Sequence, residues 1–160
     1  MIKKFELDLS SKITMFGIEL FRIKALISFD NVKKGELGGY VEKEENLSHS
    51  GNAWVSGNAR VSGDARVYGD ARVYGDAEVY GNAEVSGDAE VSKLNDYIVF
   101  KNNWSSGRYF TYTRSNKMWK VGCFYGTGEE LIKKAYQDSK DSGKHYEAYV
   151  NLVKTLEQEE

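Results

Sequence analysis

Residues 51–92 read GNAWVS GNARVS GDARVY GDARVY GDAEVY GNAEVS GDAEVS, seven copies of one six-residue unit that begin at Gly51, Gly57, Gly63, Gly69, Gly75, Gly81 and Gly87. Self-similarity at so short a period signals a solenoid. Within each unit Ala and Val stand two apart, so on an extended segment they share a face while the residue between them points away. That outward residue is Trp54, Arg60, Arg66, Arg72, Glu78, Glu84 or Glu90. Gly followed by Asn or Asp supplies a corner, because both tolerate turn dihedrals. One unit is a short strand plus a bend, too small to bury its own apolar face.

The outward series sets the coil length. With 18 residues per coil, Arg60 lies beside Glu78, Arg66 beside Glu84 and Arg72 beside Glu90, at a strand spacing of about 4.8 Å. With 12, Arg60 would stack on Arg72 and Glu78 on Glu90. Exposed pairs are worth only roughly 0.2–1 kcal/mol, so they argue for register and not for stability. The expectation is a triangular prism of three units per coil with a narrow Val/Ala core. Trp54 is expected under Arg72 as a cation–π pair, and Tyr68, Tyr74 and Tyr80 form an outer belt. That belt reads either as plain strand surface or as a face for a neighbouring subunit. A nonapeptide calcium roll has the wrong period.

Composition limits the functions. With Lys+Arg 22 against Asp+Glu 24, the chain does not suit a coat for extended nucleic acid. One cysteine, Cys123, cannot form an intrachain disulfide and suits a reducing compartment. Met1-Ile-Lys-Lys resembles the start of a signal peptide, but Glu6 and Asp8 interrupt the apolar stretch that should follow. No run approaches a membrane span. The expected location is cytoplasmic. Two histidines exclude any site that needs three, and no zinc spacing or phosphate loop is present. Cofactors are expected to be none. The Asn/Asp corner columns could hold a cation, but turn-making accounts for them.

Three segments are expected: an N-terminal β cap over 1–40, the repeat over 41–96, and an α+β module over 97–160. The cap draws on Lys3–Leu9, Lys12–Phe16 and Ile18–Phe29, with Gly17 as a turn. A solenoid needs its ends closed. Val41 and Leu47 supply earlier rungs, with two extra residues before Val55, giving about three coils. The last segment reads β-β-β-α-α: Tyr97–Lys101, Tyr109–Arg114 and Met118–Tyr125, then a helix opened by the capping box Thr127-Gly128-Glu129-Glu130. Asp141-Ser142-Gly143 is expected to break it before a second helix from about Lys144.

Between Tyr97 and Gly128 there is no acid, yet five cations and nine aromatics. Arg108, Phe110, Tyr112 and Arg114 alternate onto one strand face. Aromatics between guanidinium groups suit a nucleotide, the base stacking while Arg grips phosphate. The candidate ligand residues are Trp104, Arg108, Phe110, Tyr112, Arg114, Trp119 and Lys120. The competing reading packs Phe110 and Tyr112 under the helices with the Arg stems at the edges. Cys123 with His145 offers a nucleophile–base pair, although a lone strand Cys usually belongs to a core.

Val-x-Gly-Asp-Ala-x resembles the hexapeptide of left-handed parallel β-helices, and left-handedness is what that resemblance implies. The upstream stretches Phe21-Arg22-Ile23-Lys24-Ala25, Phe29-Asp30-Asn31-Val32, Gly35-Glu36-Leu37-Gly38-Gly39-Tyr40-Val41 and Asn46-Leu47-Ser48 are similar to a lead-in of phage, prophage and bacterial β-helix proteins. The resemblance spans about 75 residues. It implies a homo-oligomer, a trimer packed prism to prism. By analogy with phage proteins it implies a non-enzymatic counter-defence role in the host bacterial cytoplasm, sequestering a nucleotide-derived immune signal. Two alternatives stand beside it: a hexapeptide acyltransferase using His49 as base, and a structural module that binds a host protein.

Overall fold

The glycine that opens each hexad has φ between +62° and +73°, a region that L side chains adopt only with strain. Each hexad therefore turns a corner after two extended residues. The computed structural model describes residues 2–158. Met1, Glu159 and Glu160, which belong to the expected first and third segments, lie outside the described residues. The chain begins with β1 (Phe5–Met15), β2 (Ile18–Ala25) and β3 (Leu37–Val41). The hexads follow as seven two-residue rungs: β4 (Trp54–Val55), β5 (Arg60–Val61), β6 (Arg66–Val67), β7 (Arg72–Val73), β8 (Glu78–Val79), β9 (Glu84–Val85) and β10 (Glu90–Val91).

The rungs pair in parallel with an offset of 18 residues: Arg60 with Glu78, Arg66 with Glu84, Arg72 with Glu90. Three ladders result, β3-β5-β8, β4-β7-β10 and β6-β9, the last extended by a Leu47–Val67 bridge. Val41 pairs with Val61 and Leu47 with Val67, both offset by 20, which locates the two extra residues between Leu47 and Val55. The Ala and Val of every hexad are essentially inaccessible and form one apolar column.

The outward charges behave less uniformly than their columns. Arg60 and Glu78 close as an ion pair. Arg72 turns instead to Asp30; Trp54 is its ladder neighbour as expected, but the Trp54 ring packs edge-on to Phe29 at 5.3 Å and not against the guanidinium. The loop carrying Phe29 and Asp30 lies against this face, and an Arg–carboxylate pair is stronger than a cation–π contact.

Hydrogen-bond polarity explains both ends. The outward residue of each coil gives its N–H to a carbonyl of the next, as Arg60 does to Ala77. The first coil thus leaves carbonyls unmatched and the last leaves N–H groups unmatched. At the first end the Lys4 ammonium donates to Ala53 and Gly51 (2.7 and 3.3 Å), and the Asn46 amide donates to Ala65 and Gly63 (2.8 and 3.2 Å). At the other end the Glu84, Glu90 and Ser92 N–H groups donate to Thr111 Oγ1, Ser115 Oγ and Asp96 Oδ2 (2.9, 2.8 and 2.8 Å).

Thr111 belongs to a four-stranded antiparallel sheet, β11 (Tyr97–Lys101), β12 (Tyr109–Thr113), β13 (Met118–Val121) and β14 (Phe124–Gly126), with Asp96 just before β11 and Ser115 in the β12–β13 turn, and the sheet is followed by α1 (Gly128–Asp138) and α2 (Lys140–Gln158). Where sequence suggested one strand over 118–125, Gly122 at φ +55° splits it into a hairpin. Cys123 is exposed at that turn and takes no part in a core. Thr127 caps α1 as expected, its hydroxyl accepting from the Glu130 N–H. The helix break comes at Ser139, not at Asp141-Ser142-Gly143, which lies inside α2. A Cβ on Gly143 would meet Tyr136 at 2.2 Å, so the glycine serves the crossing of the two helices. At the N terminus, Lys3–Leu9 and Lys12–Phe16 merge into the single long β1, interrupted only by an irregularity between Asp8 and Ile13.

Candidate functional site

β12 is covered on both faces. Phe110 and Tyr112, with Trp119 of β13, lie under the helices at 1%, 4% and 2% exposure, packed with Leu131, Ala135, Tyr146 and Val150. Thr111 and Thr113 on the other face are also buried, Thr111 serving the solenoid end. The aromatic stripe is a core, and no ring of Phe110, Tyr112 or Trp119 is open to stack a base. The Tyr112 hydroxyl donates to Glu157 at 2.6 Å, and burial together with that carboxylate pushes its pKa up.

The other candidates separate. Arg108 and Arg114 flank the strand at opposite ends, roughly 20 Å apart at the rise of an extended chain. Arg114 lies 3.9 Å from Glu157 and donates to the Asn95 carbonyl, in a shallow cavity of its own. Trp104 is 77% exposed on the β11–β12 connection, 6.4 Å from the His145 ring. Arg108 and Lys120 are brought to the same place. Both border a two-lobed cleft between the β6-β9 ladder and the terminal sheet, with lobes of about 500 and 620 Å³.

The lobes share Glu45, Arg66 and Glu84. Arg108 and Tyr109 border the first, Lys120, Tyr68 and His49 the second. Lys43 is neutralised by Asp64 at 3.1 Å. Among the described residues Arg66, Arg108 and Lys120 have no carboxylate within ion-pair distance. Arg66 and Glu84 are ladder neighbours that do not close on each other. The Lys120 ammonium stands 5.9 Å over the Tyr68 ring. The Tyr68 hydroxyl is buried without a hydrogen-bond partner among the described residues, and burial, then the Glu84 charge, push its pKa to about 12. Gly122 leaves room for Arg108, whose Nη1 would be 2.6 Å from a Cβ there.

His49 is structural in its contacts. Its Nδ1 accepts the Lys4 N–H at 3.0 Å, its Nε2 lies 3.2 Å from Glu44, and its ring stacks on Phe5 at 4.3 Å. A base at this position would have to give up one of two bonds. Sequence reasoning found Arg108 and Lys120 through the acid-free window. It did not select Arg66, whose column was read as paired, nor Tyr68, seen only as part of a belt. Nothing in the local sequence marks Lys43 or Glu45.

The family model described as YdcK beta solenoid repeat matches residues 53–67 and 65–81. No curated protein matches the chain. The match lies wholly within the hexads and identifies the central segment as similar to a β-solenoid repeat.

Proposed function

We propose that this chain is a non-enzymatic binding protein that sequesters a small, phosphate-bearing, nucleotide-derived ligand in the cleft between its solenoid and its terminal sheet. The observation that carries the reading is the convergence of Arg66, Arg108 and Lys120, free of carboxylate partners among the described residues, on a cavity of nucleotide size. Tyr68 and Tyr109 offer ring surface beside them, and Glu45 and Glu84 suit the hydroxyl and amino donors of a sugar and base. The scaffold in this reading is a left-handed triangular prism of the hexapeptide type, spanning 41–96 between a cap over 1–40 and a module over 97–160. The phage-type counter-defence role in a bacterial cytoplasm rests on analogy with the lead-in and goes with the same proposal. Assembly with further copies belongs to it too.

Titration calorimetry against a panel of cyclic oligonucleotides and cyclic ADP-ribose derivatives tests it. One member binds, and Arg66→Ala and Arg108→Ala each weaken it roughly ten-fold or more, the worth of a charge-assisted hydrogen bond. Arg114→Ala, in a separate cavity, leaves binding unchanged. No heat with any member, or binding indifferent to Arg66 and Arg108, overturns the reading.

A further inference from the structure

The two lobes of the cleft meet at one cluster of cations. Arg66, on rung β6, borders both lobes, of about 500 and 620 Å³. On the opposite wall Arg108 borders the first lobe and Lys120 the second, yet both reach Gly122, in the turn between β13 and β14. The Arg108 Nη1 stands 2.6 Å from where a Gly122 Cβ would lie, and the Lys120 ammonium donates to the Gly122 carbonyl. Positive charge is therefore gathered where the lobes join. Each lobe also holds one tyrosine, Tyr109 in the first and Tyr68 in the second. Glu45 and Glu84 border both lobes. The other charged groups of the walls, Lys43 with Asp64 and Glu44 with Lys3, close as ion pairs.

We propose that the cleft takes a ligand of two nucleosides joined through phosphate, with the phosphate link at the junction and one nucleoside in each lobe. This rests on the reading of the cleft as a nucleotide site and names the class of nucleotide. A mononucleotide with its phosphate at the junction fills one lobe and leaves the other, itself large enough for a ligand, to water. A second nucleoside fills that lobe, and the second tyrosine gives its base a ring to stack on. Three cations against Glu45 and Glu84 leave a small positive excess at the junction. That excess suits a phosphate link of low charge, whereas a triphosphate tail would meet both carboxylates. The same carboxylates suit the ribose hydroxyls that flank such a link on either side. A bound phosphate draws the Lys120 ammonium from its place 5.9 Å over the Tyr68 ring, because a charge-assisted hydrogen bond is stronger than a cation–π contact. The ring face is then free for the base.

Titration calorimetry of the full chain with three sets of probes is the test: cyclic dinucleotides of adenine and guanine, linear dinucleosides joined by pyrophosphate, and single-base probes (the nucleoside 5′-monophosphates and a cyclic ADP-ribose derivative). A dinucleotide, cyclic or linear, should bind at least about ten-fold tighter than every single-base probe. Tyr109→Ala, at a side chain 43% exposed, and Tyr68→Leu should each weaken that dinucleotide about ten-fold, the worth of one base stack. A monophosphate should feel only one of the two changes. The comparison among probes uses the wild-type chain and stands whatever the variants do to folding. A single-base probe that binds within ten-fold of the best dinucleotide and still depends on Arg66 and Arg108 overturns this proposal and leaves the proposed function standing. A dinucleotide indifferent to Tyr109→Ala or to Tyr68→Leu also overturns it. No heat with any probe removes both.

Discussion

Lys4 is 1% exposed, with its ammonium on the carbonyls that open the solenoid and 4.9 Å from the Phe29 ring. Burial lowers its pKa to about 8, against 10.5 for a free side chain, with the Asp70 charge working the other way. Between those values the unfolded chain binds more protons than the folded one, so stability rises with pH across that window. The rise is roughly 3 kcal/mol at 1.36 kcal/mol per unit. Above about pH 10 the trend reverses: burial has pushed Tyr68 and Tyr97 to about 12, and the unfolded tyrosines ionise first. Lys4→Met should abolish the rising limb and keep the falling one, as read from urea melts between pH 7 and pH 11. A second residue contrast separates strain from stacking. Gly81 (φ +66°) has open space where a Cβ would go, while a Cβ on Gly51 (φ +73°) would meet the Gly69 carbonyl at 2.5 Å. Gly81→Ala should cost about 1–2 kcal/mol of backbone strain alone, and Gly51→Ala clearly more in the same denaturation assay.

At the scale of elements, the terminal sheet acts through its side-chain oxygens. Thr111→Val keeps the shape of the side chain but leaves the Glu84 N–H without its 2.9 Å acceptor, a buried loss of about 1–3 kcal/mol. Hydrogen exchange at the Glu84 amide should quicken, while Thr113→Val, on the same strand but bonded to Asn116, should leave that amide protected. In the helical layer, Gly143→Ala gains helix propensity of up to about 1 kcal/mol. It also drives a methyl into Tyr136, and overpacking of about 1–3 kcal/mol should dominate. The melting temperature should fall, contrary to what an exposed helix would show.

At the scale of the molecule, stability runs along one axis. Each coil touches only the next, so the ends decide whether the Val/Ala column stays closed. A chain ending after Ser92 would lose Tyr97 and Val99, which pack on that column, together with the acceptors from Asp96, Thr111 and Ser115. It should self-associate end to end and melt without a sharp transition, as seen by light scattering and circular dichroism. The cleft belongs to this scale as well. Its cations come from residue 66 on a rung, 108 before β12 and 120 on β13, and only the docking of the sheet on the solenoid makes them one site.

The hexad determined by itself the 18-residue register, the Val/Ala column and the corners, because period, turn chemistry and charge alternation act between residues a fixed distance apart. Thr127 and Glu130 likewise declared the start of α1 locally. Tertiary structure decided which face of an aromatic-rich strand met the helices, so Phe110, Tyr112 and Trp119 became core while Arg108 and Arg114 parted. It also decided that Arg72 would answer Asp30, 42 positions away, and that Lys4 would close the first coil. Such outcomes depend on competition among partners distant in the chain, and alternation along a strand records that a face exists without saying what will cover it.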